Sequence, residues 1–288
     1  MKASTKSIIL FCVIAFIPVW LVSAVLLLLG MATGGVGVTL LFAAFMFMPA
    51  ISSILTRLIC REGFGDMYLR PHFRGNGWRY VLAWLLPIVL TLLGAVLFFL
   101  VYPALFDPSF SLLTSQGIPA AQLPLILAVN GILMLLGPVL NLIPAFGEEL
   151  GWRGYLLPKL ALRMGRQKAT LLSGAIWGLW HAPMIALGHN FGFGYAGYPW
   201  TGILLMTLFC ILFGSFLSWL TFKSSSAIPA ALAHGGLNAV AAAGIMVSLP
   251  SYNALMGPAP VGLIGGIPVL ITGILFFCLL AGKAENKG

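Results

Sequence analysis

Long apolar stretches separated by short polar segments run through the whole chain. A membrane-spanning helix needs about 20 mostly apolar residues, and eight stretches meet that length, near residues 8–30, 37–57, 80–103, 123–147, 168–187, 200–222, 226–247 and 258–281. The first is longer than the roughly 7–15 apolar residues of a signal peptide, so we expect an uncleaved span there. The pattern predicts an all-α polytopic membrane helical bundle of about eight transmembrane helices, in a single membrane domain over residues 1–288.

The composition agrees with a membrane protein and excludes a soluble one. Of the 288 residues, 60% are hydrophobic and only 7% are charged, whereas a soluble domain carries about 25% charged residues. A soluble surface needs polar cover that this chain does not have. The same apolar excess excludes a disordered chain and a coiled coil.

The basic residues are distributed unevenly between the predicted loops. The chain has 15 Lys and Arg residues against 6 Asp and Glu, which gives a formal net charge of +9. With eight spans, the basic residues all fall on one side of the membrane: Arg57, Arg61, Arg70, Arg74, Arg79, Arg153, Lys159, Arg163, Arg166, Lys168, Lys223 and, in the two termini, Lys2, Lys6, Lys283 and Lys287. The opposite loops, near 31–36, 104–122, 188–199 and 248–257, contain no Lys or Arg.

This asymmetry predicts an orientation, because the cytoplasmic loops of membrane proteins are enriched in Lys and Arg. We expect both termini and the basic loops to be cytoplasmic, in a multi-pass protein of a bacterial plasma membrane. The net charge then describes topology and contact with membrane lipids. The sequence has no basic helix or aromatic-interleaved patch that could follow a phosphate backbone, so we expect no nucleic-acid partner.

Few ionisable side chains fall inside the predicted spans. Burying a charge in a membrane is costly, so such residues are functional candidates. Two of the six acidic residues, Glu148 and Glu149, end the fourth span, whereas the other four lie in loops or in the C-terminal tail: Glu62, Asp66, Asp107 and Glu285. His181 lies in the fifth span, and His234 and Asn238 lie in the seventh.

Helical spacing assigns different roles to these residues. Glu149 and Arg153 are four residues apart, so they share a helix face and can form an ion pair. Glu148 is rotated by about 100° from Glu149, so it points away from Arg153 and is available as a general base. His234 and Asn238 are also four apart and can offer two hydrogen-bond donors to one developing negative oxygen.

These side chains would suffice for hydrolysis, with a Glu and a His to activate water and a His and an Asn to hold an oxyanion. Two other functions remain open: a non-catalytic membrane immunity or scaffold protein of the same fold, and a proton-coupled transporter that uses the carboxylates as a relay. A zinc site is a further option, with Glu148, His181 and His234 as ligands. The HExxH spacing of many zinc proteases is absent.

Three short motifs resemble those of a known family. Glu148-Glu149-x-x-x-Arg153, then Trp177-x-x-x-His181, then His234-x-x-x-Asn238 resemble, in order, the motifs of the CAAX prenyl endopeptidase type II and bacteriocin-processing (CPBP, or Abi) family of intramembrane proteases. The resemblance covers residues 123–245, about four spans. One position departs from the pattern, because the aromatic residue of the second motif is commonly Phe and is Trp177 here.

The resemblance implies hydrolysis of a peptide bond in a cavity between helices that is open to the cytoplasmic side. Glu148 and His181 would polarise the attacking water, and His234 and Asn238 would stabilise the oxyanion. Glu149 and Arg153 would hold the site together. The expected partner is a peptide or protein substrate, with or without a lipid modification. We expect no cofactor, with a divalent metal such as zinc as the alternative, and the oligomeric state does not follow from the sequence.

Overall fold

The computed structural model describes residues 4–31 and 35–281. Within these ranges the secondary structure is helical and contains no strand, and one isolated bridge pairs Phe106 with Ser248. The predicted all-α class is therefore confirmed. The predicted orientation of the termini depends in part on Lys2, Lys283 and Lys287, which lie outside the described ranges, as does Glu285.

Helices of very different length make up the described chain. The α-helices are α1 Thr5–Leu28, α2 Val36–Phe45, α3 Met48–Cys60, α4 Gly77–Val101, α5 Ser111–Ser115, α6 Leu123–Leu140, α7 Leu142–Gly151, α8 Leu157–Met164, α9 Arg166–Trp180, α10 Ala182–Ala186, α11 Trp200–Ser224, α12 Ile228–Val240, α13 Ala243–Met246 and α14 Ile267–Leu279. Two 3-10 turns and one π-helical turn join them: Pro103–Leu105, Ala120–Gln122 and, between α7 and α8, Trp152–Leu156.

Six helical segments of the described chain are long and apolar enough to cross a membrane: Thr5–Leu28, Gly37–Cys60, Gly77–Val101, Ala120–Met164, Trp200–Ser224 and Ile228–Met246. They coincide with six of the eight predicted stretches. The fifth and eighth predicted stretches contain shorter helices. The count of eight spans therefore stays a prediction.

Proline and glycine account for both differences. In the fifth stretch, α9 ends at Trp180 and α10 begins at Ala182, because Pro183 has no backbone N–H to donate to the carbonyl four residues before it. In the eighth stretch, the helix begins only at Ile267. The segment before it is rich in residues that break helices: Pro258, Pro260, Gly262, Gly265 and Gly266.

Helix α1 buries one stripe of side chains and exposes apolar side chains on the rest of its surface. The buried residues of α1 recur every four positions: Ser7, Phe11, Ala15, Val19 and Ser23. Between them, Leu21 and Leu28 are 63% and 87% exposed. A single buried stripe with exposed leucines around it is unfavourable in water but suits a helix that faces lipid on most of its circumference.

Contacts between loops are found at both ends of the bundle. At one end, Lys159 of the segment after α7 forms an ion pair with Glu62 of the loop after α3, at 3.1 Å. At the same end, the backbone N–H of Ala227 donates to the carbonyl of Tyr68. At the other end, two of the four loops without Lys or Arg are joined by hydrogen bonds from the Asp107 N–H to the Val247 carbonyl and from the Leu249 N–H to the Leu105 carbonyl.

Close packing around α12 and α9 positions the polar residues. Helix α12 packs against α4, α6, α7 and α11, and α9 packs along α11. Asn141 Nδ2 donates to the Gly235 carbonyl of α12 at 3.3 Å, which ties the start of α7 to α12. A Cβ atom at Gly174 of α9 would lie only 2.7 Å from the Cα of Ile211, so the missing side chain allows α9 and α11 to approach closely.

Candidate active site

Four segments bring the predicted polar residues together between the helices. Helix α7 carries Glu148 and Glu149, the π-turn that follows carries Arg153, the junction of α9 and α10 carries His181, and α12 carries His234. All five side chains are buried, with Glu149 fully covered. The sequence pattern placed the two glutamates at the edge of a span, whereas the structure places both inside the protein.

Glu149 is shared between two basic side chains. Its Oε1 accepts hydrogen bonds from Arg153 Nη1 and from His234 Nδ1, each at 2.9 Å. A carboxylate oxygen can only accept here, so Nδ1 of His234 carries its proton and Nε2 is the nitrogen left for another partner. The pair with Arg153 that the spacing predicted is therefore present, and it extends to His234 on another helix.

Glu148 has different neighbours from Glu149. Its Oε2 accepts hydrogen bonds from the indole N–H groups of Trp177, at 2.7 Å, and Trp152, at 3.2 Å. Neither donor carries a formal charge. The two adjacent glutamates thus differ in chemistry, because Glu149 is neutralised by an ion pair and Glu148 is held only by neutral donors.

His181 is held through its ring by the backbone of α9. Its Nδ1 lies 2.9 Å from the carbonyl oxygen of Trp177. The carbonyl can only accept, so Nδ1 carries the proton, and in the neutral ring Nε2 is an acceptor. That tautomer suits a residue that binds a water proton. The ring also makes edge contacts with the rings of Trp177 and Trp180.

Trp177 lies at the centre of this cluster. The Arg153 guanidinium stacks over its ring at 4.4 Å from the centroid, and the His234 ring contacts it at 5.2 Å between centroids. Its indole N–H and its carbonyl bind Glu148 and His181 respectively. The sequence motif identified Trp177 only as an aromatic position, whereas the structure shows contacts with four site residues.

A nearby proline accounts for the π-turn after α7, and a side chain from a distant helix stabilises it. In a regular α-helix the carbonyl of Gly154 would accept from the N–H of residue 158, but that residue is Pro158 and has no N–H. Nη2 of Arg57, from α3, donates to the Gly154 carbonyl instead, at 3.3 Å. Helical turns of this type are often found at functional sites, and this one carries Arg153.

Asn238 is placed differently from the other candidates. It lies one turn after His234, near the end of α12, but it is exposed whereas His234 is buried. Its side chain makes no hydrogen bond to another residue of the ranges 4–31 and 35–281. Five of the six candidates therefore form one cluster, and Asn238 lies on the same helix at its edge.

A second polar cluster lies beside the site at the end where the basic loops meet, and the sequence pattern did not single it out. Lys159 pairs with Glu62 at 3.1 Å and with Asp66 at 3.5 Å, and Arg57 also pairs with Asp66. The Tyr155 hydroxyl donates to Glu62 at 3.0 Å. Lys159 and Tyr155 are more than 90 residues from their partners in the chain, so only the packing of the loop against α8 could reveal these contacts.

Both loop carboxylates are held in the charged form. Burial by itself would raise the pKa of Glu62, but hydrogen bonds from Ser7, Lys159 and Tyr155 outweigh it and the pKa is lowered. Burial would likewise raise the pKa of Asp66, and the hydrogen bond and charge of Arg57 lower it instead. These contacts hold the loop after α3 against the segment that carries the site.

The contacts of Glu148, His181 and His234 bear on the metal alternative named from the sequence. Across the described residues, no group of three or more His, Cys, Asp and Glu side chains is arranged to hold a metal ion. Oε2 of Glu148 accepts from two indole N–H groups, and Nδ1 of both His181 and His234 faces an oxygen, so Nε2 is the ring nitrogen that each histidine could offer to another partner. The zinc site stays a prediction.

The fold and the site together define a class, a polytopic helical membrane protein that buries two adjacent glutamates, an arginine and two histidines between its helices. Residues 129–240 match the family model described as Type II CAAX prenyl endopeptidase Rce1-like. A stretch of 90 residues is 33% identical to the protein named CAAX prenyl protease 2 of Methanococcus maripaludis, and covers 31% of this chain and 33% of that protein.

These comparisons confirm the resemblance that the three motifs indicated. The matched region contains all the candidate residues from Glu148 to Asn238. The alignment spans about a third of the length of the curated relative.

Proposed function

We propose that the protein is an intramembrane endopeptidase that hydrolyses a peptide bond with a water activated by Glu148 and His181. The observation that carries this proposal is the contrast between the two glutamates. Glu149 is paired with Arg153 and His234, whereas the hydrogen bonds to Glu148 come from two neutral indoles. A buried carboxylate without a cationic hydrogen-bond partner is suited to accept a proton during the reaction.

The proposed reaction follows from this arrangement. Glu148 takes a proton from the water, and the water oxygen forms a bond with the carbonyl carbon of the substrate. The electron pair of the carbonyl moves to its oxygen, which Nε2 of His234 and the amide of Asn238 stabilise by hydrogen bonds. The C–N bond then breaks, and Glu148 returns the proton to the leaving amine.

His234 has to donate from Nε2 in this scheme, so its ring must carry both protons when the oxyanion forms. The position of Glu149 supports that form, because its negative charge lies against Nδ1 of the same ring at 2.9 Å. Arg153 contacts the same carboxylate oxygen and fixes its orientation. Glu149 and Arg153 thus have a supporting role in the proposal.

The proposed substrate is a peptide or a protein, and the proposed location is a bacterial plasma membrane with both termini in the cytoplasm. The test is an assay of purified protein on a panel of quenched peptides, each with and without a prenylated cysteine. Parent protein should cleave at least one peptide, and Glu148→Gln should reduce kcat by about 100-fold or more. Asp107→Asn, at the other end of the bundle, is the matched control and should keep the parental rate.

The proposal includes a reaction without a metal. Incubation with a chelator followed by desalting should leave the rate unchanged, and mass spectrometry of the purified protein should find no stoichiometric zinc. A rate lost on chelation and restored by one equivalent of zinc would overturn this part of the proposal while leaving the peptidase activity established.

The same variants separate the two alternative functions. A cell that keeps full function with the Glu148→Gln, His234→Ala double variant would favour a non-catalytic immunity or scaffold protein. Uptake of a solute that depends on a pH gradient and is abolished by Glu148→Gln would favour a proton-coupled transporter.

A further inference from the structure

One oxygen of Glu148 is bound twice. Nε1 of Trp177 and Nε1 of Trp152 both donate to Oε2, at 2.7 Å and 3.2 Å. Oε1 of the same carboxylate accepts no hydrogen bond from any residue that the structure describes. The two indoles therefore fix the carboxylate plane and distinguish its two oxygens.

Both indole rings are themselves fixed by their neighbours. Trp152 is fully buried and packs edge-on against Phe11 of α1, at 5.7 Å between centroids, and against Trp180 of α9, at 5.9 Å. Trp177 is 2% exposed and lies between the Arg153 guanidinium and the His234 ring. Neither ring can turn without displacing these contacts, so the donors keep their direction.

The indole N–H is what distinguishes Trp177 from a simple aromatic residue at this position. A Phe ring could still cover Arg153 and contact His234, but it has no hydrogen-bond donor. The shorter of the two hydrogen bonds to Glu148 therefore depends on a tryptophan at position 177.

We propose that Trp177, with Trp152 as the second donor, is a positioning residue that holds Oε2 of Glu148 so that Oε1 takes the proton of the attacking water. The inference rests on the proposed function. Through its carbonyl, Trp177 also sets the tautomer of His181, so one residue orients both groups that bind the water. A base displaced by about 1 Å can lose roughly 100-fold in rate, which sets the size of the expected effect.

Trp177→Phe is the sharpest variant, because it keeps an aromatic ring at this position and removes the N–H together with the pyrrole part of the indole. We expect kcat to fall by about 10-fold to 100-fold with KM close to the parental value, while the smaller buried ring lowers the melting temperature. Trp152→Phe removes the longer hydrogen bond and should reduce kcat less. Trp84→Phe is the matched control, since it removes an indole hydrogen bond to the Leu135 carbonyl outside the site and should keep the parental kcat.

A double-mutant cycle shows whether Trp177 acts through Glu148. If it does, the Trp177→Phe, Glu148→Gln protein should be no slower than Glu148→Gln alone, because the group that Trp177 positions is already gone. Additive losses, or a parental kcat for Trp177→Phe, would overturn the proposal.

A spectroscopic measurement tests the contact without relying on activity. In full-length protein with 15N-labelled tryptophan, Glu148→Gln should move the indole N–H resonances of Trp177 and Trp152 and leave that of Trp84 in place. Unmoved Trp177 and Trp152 signals would overturn the inference.

The activity assay distinguishes the failure of the proposed function from the failure of this inference. A parent protein that cleaves no peptide would overturn the proposed function and the role of Trp177 with it. An active parent protein together with an unchanged kcat for Trp177→Phe would overturn the role of Trp177 alone.

Discussion

The guanidinium of Arg153 lies 2.9 Å from a carboxylate oxygen of Glu149, and both side chains are buried to 1% exposure or less. A buried ion pair is costly to break, because removal of one partner leaves the other charged and unpaired. Here the same oxygen also binds His234, so the loss of Glu149 would affect two helices at once.

We therefore expect Glu149→Ala to destabilise the protein more than Glu148→Ala does. The loss of Glu149 leaves a buried arginine charged and without its ion-pair partner, which should lower the free energy of unfolding by about 3–5 kcal/mol. The loss of Glu148 leaves only two neutral indole donors unpaired. Thermal unfolding in detergent, read alongside the expression level, measures the difference. The reverse order of melting temperatures would mean that the roles assigned to the two glutamates are exchanged.

Gly214 of α11 makes room for Arg153, and its substitution should reduce activity. A Cβ atom at this position would lie 2.9 Å from Nη2 of Arg153, so Gly214→Ala has to displace a guanidinium that is held by Glu149 and by the ring of Trp177. We expect kcat to fall by about 10-fold. Gly131→Ala is the matched control, since a Cβ there meets nothing within 4 Å, and an equal loss in both variants would contradict the argument.

The loop cluster predicts a dependence of stability on pH. Glu62 and Asp66 have pKa values below their ordinary 4.5 and 3.8, so the folded protein binds their protons less readily than the unfolded chain does. Their contribution to stability is therefore fully present above about pH 4.5 and is lost as the pH falls through the lower folded values. The melting temperature should drop over this acid range.

Lys159→Met isolates this contribution, because Lys159 pairs with both carboxylates. The variant should melt below the parent at pH 7, and the difference should shrink as the pH falls below 4. Lys223→Met, at an exposed position in the last turn of α11, should follow the parental curve. A constant difference between Lys159→Met and the parent at all pH values would show that the ion pairs do not cause it.

Substitution of His234 and substitution of Asn238 should have different effects on the melting temperature. His234 is buried and bound to Glu149, so His234→Ala should lower both the melting temperature and kcat. The side chain of Asn238 is exposed and makes no hydrogen bond within the described ranges, so Asn238→Ala should leave the melting temperature within about 1 °C of the parent, because substitutions at exposed positions usually have small effects on stability. If Asn238 donates to the oxyanion, its loss should reduce kcat by about 100-fold or more, and an unchanged kcat would remove it from the proposed mechanism.

The sequence by itself determined the features that depend on neighbouring residues. Apolar length and the absence of polar cover predict a helical membrane protein, and the i, i+4 spacing of Glu149 and Arg153 predicts their ion pair, because both partners lie on one local turn. The three motifs predict the family resemblance for the same reason, since each is a local pattern. Trp152, four residues after Glu148, could have been found by the same spacing argument.

Only the tertiary structure decided the contacts between distant segments. Trp177 donates to Glu148 across 29 residues of sequence and His234 to Glu149 across 85, and these pairs form because α9 and α12 pack beside α7. The same packing buries the glutamates that the sequence placed at a membrane edge. It also brings Arg57 to the Gly154 carbonyl, where its guanidinium donates the hydrogen bond that Pro158 cannot. A local pattern fixes which face of a helix a residue occupies, whereas the helix that covers that face depends on packing between segments far apart in the chain.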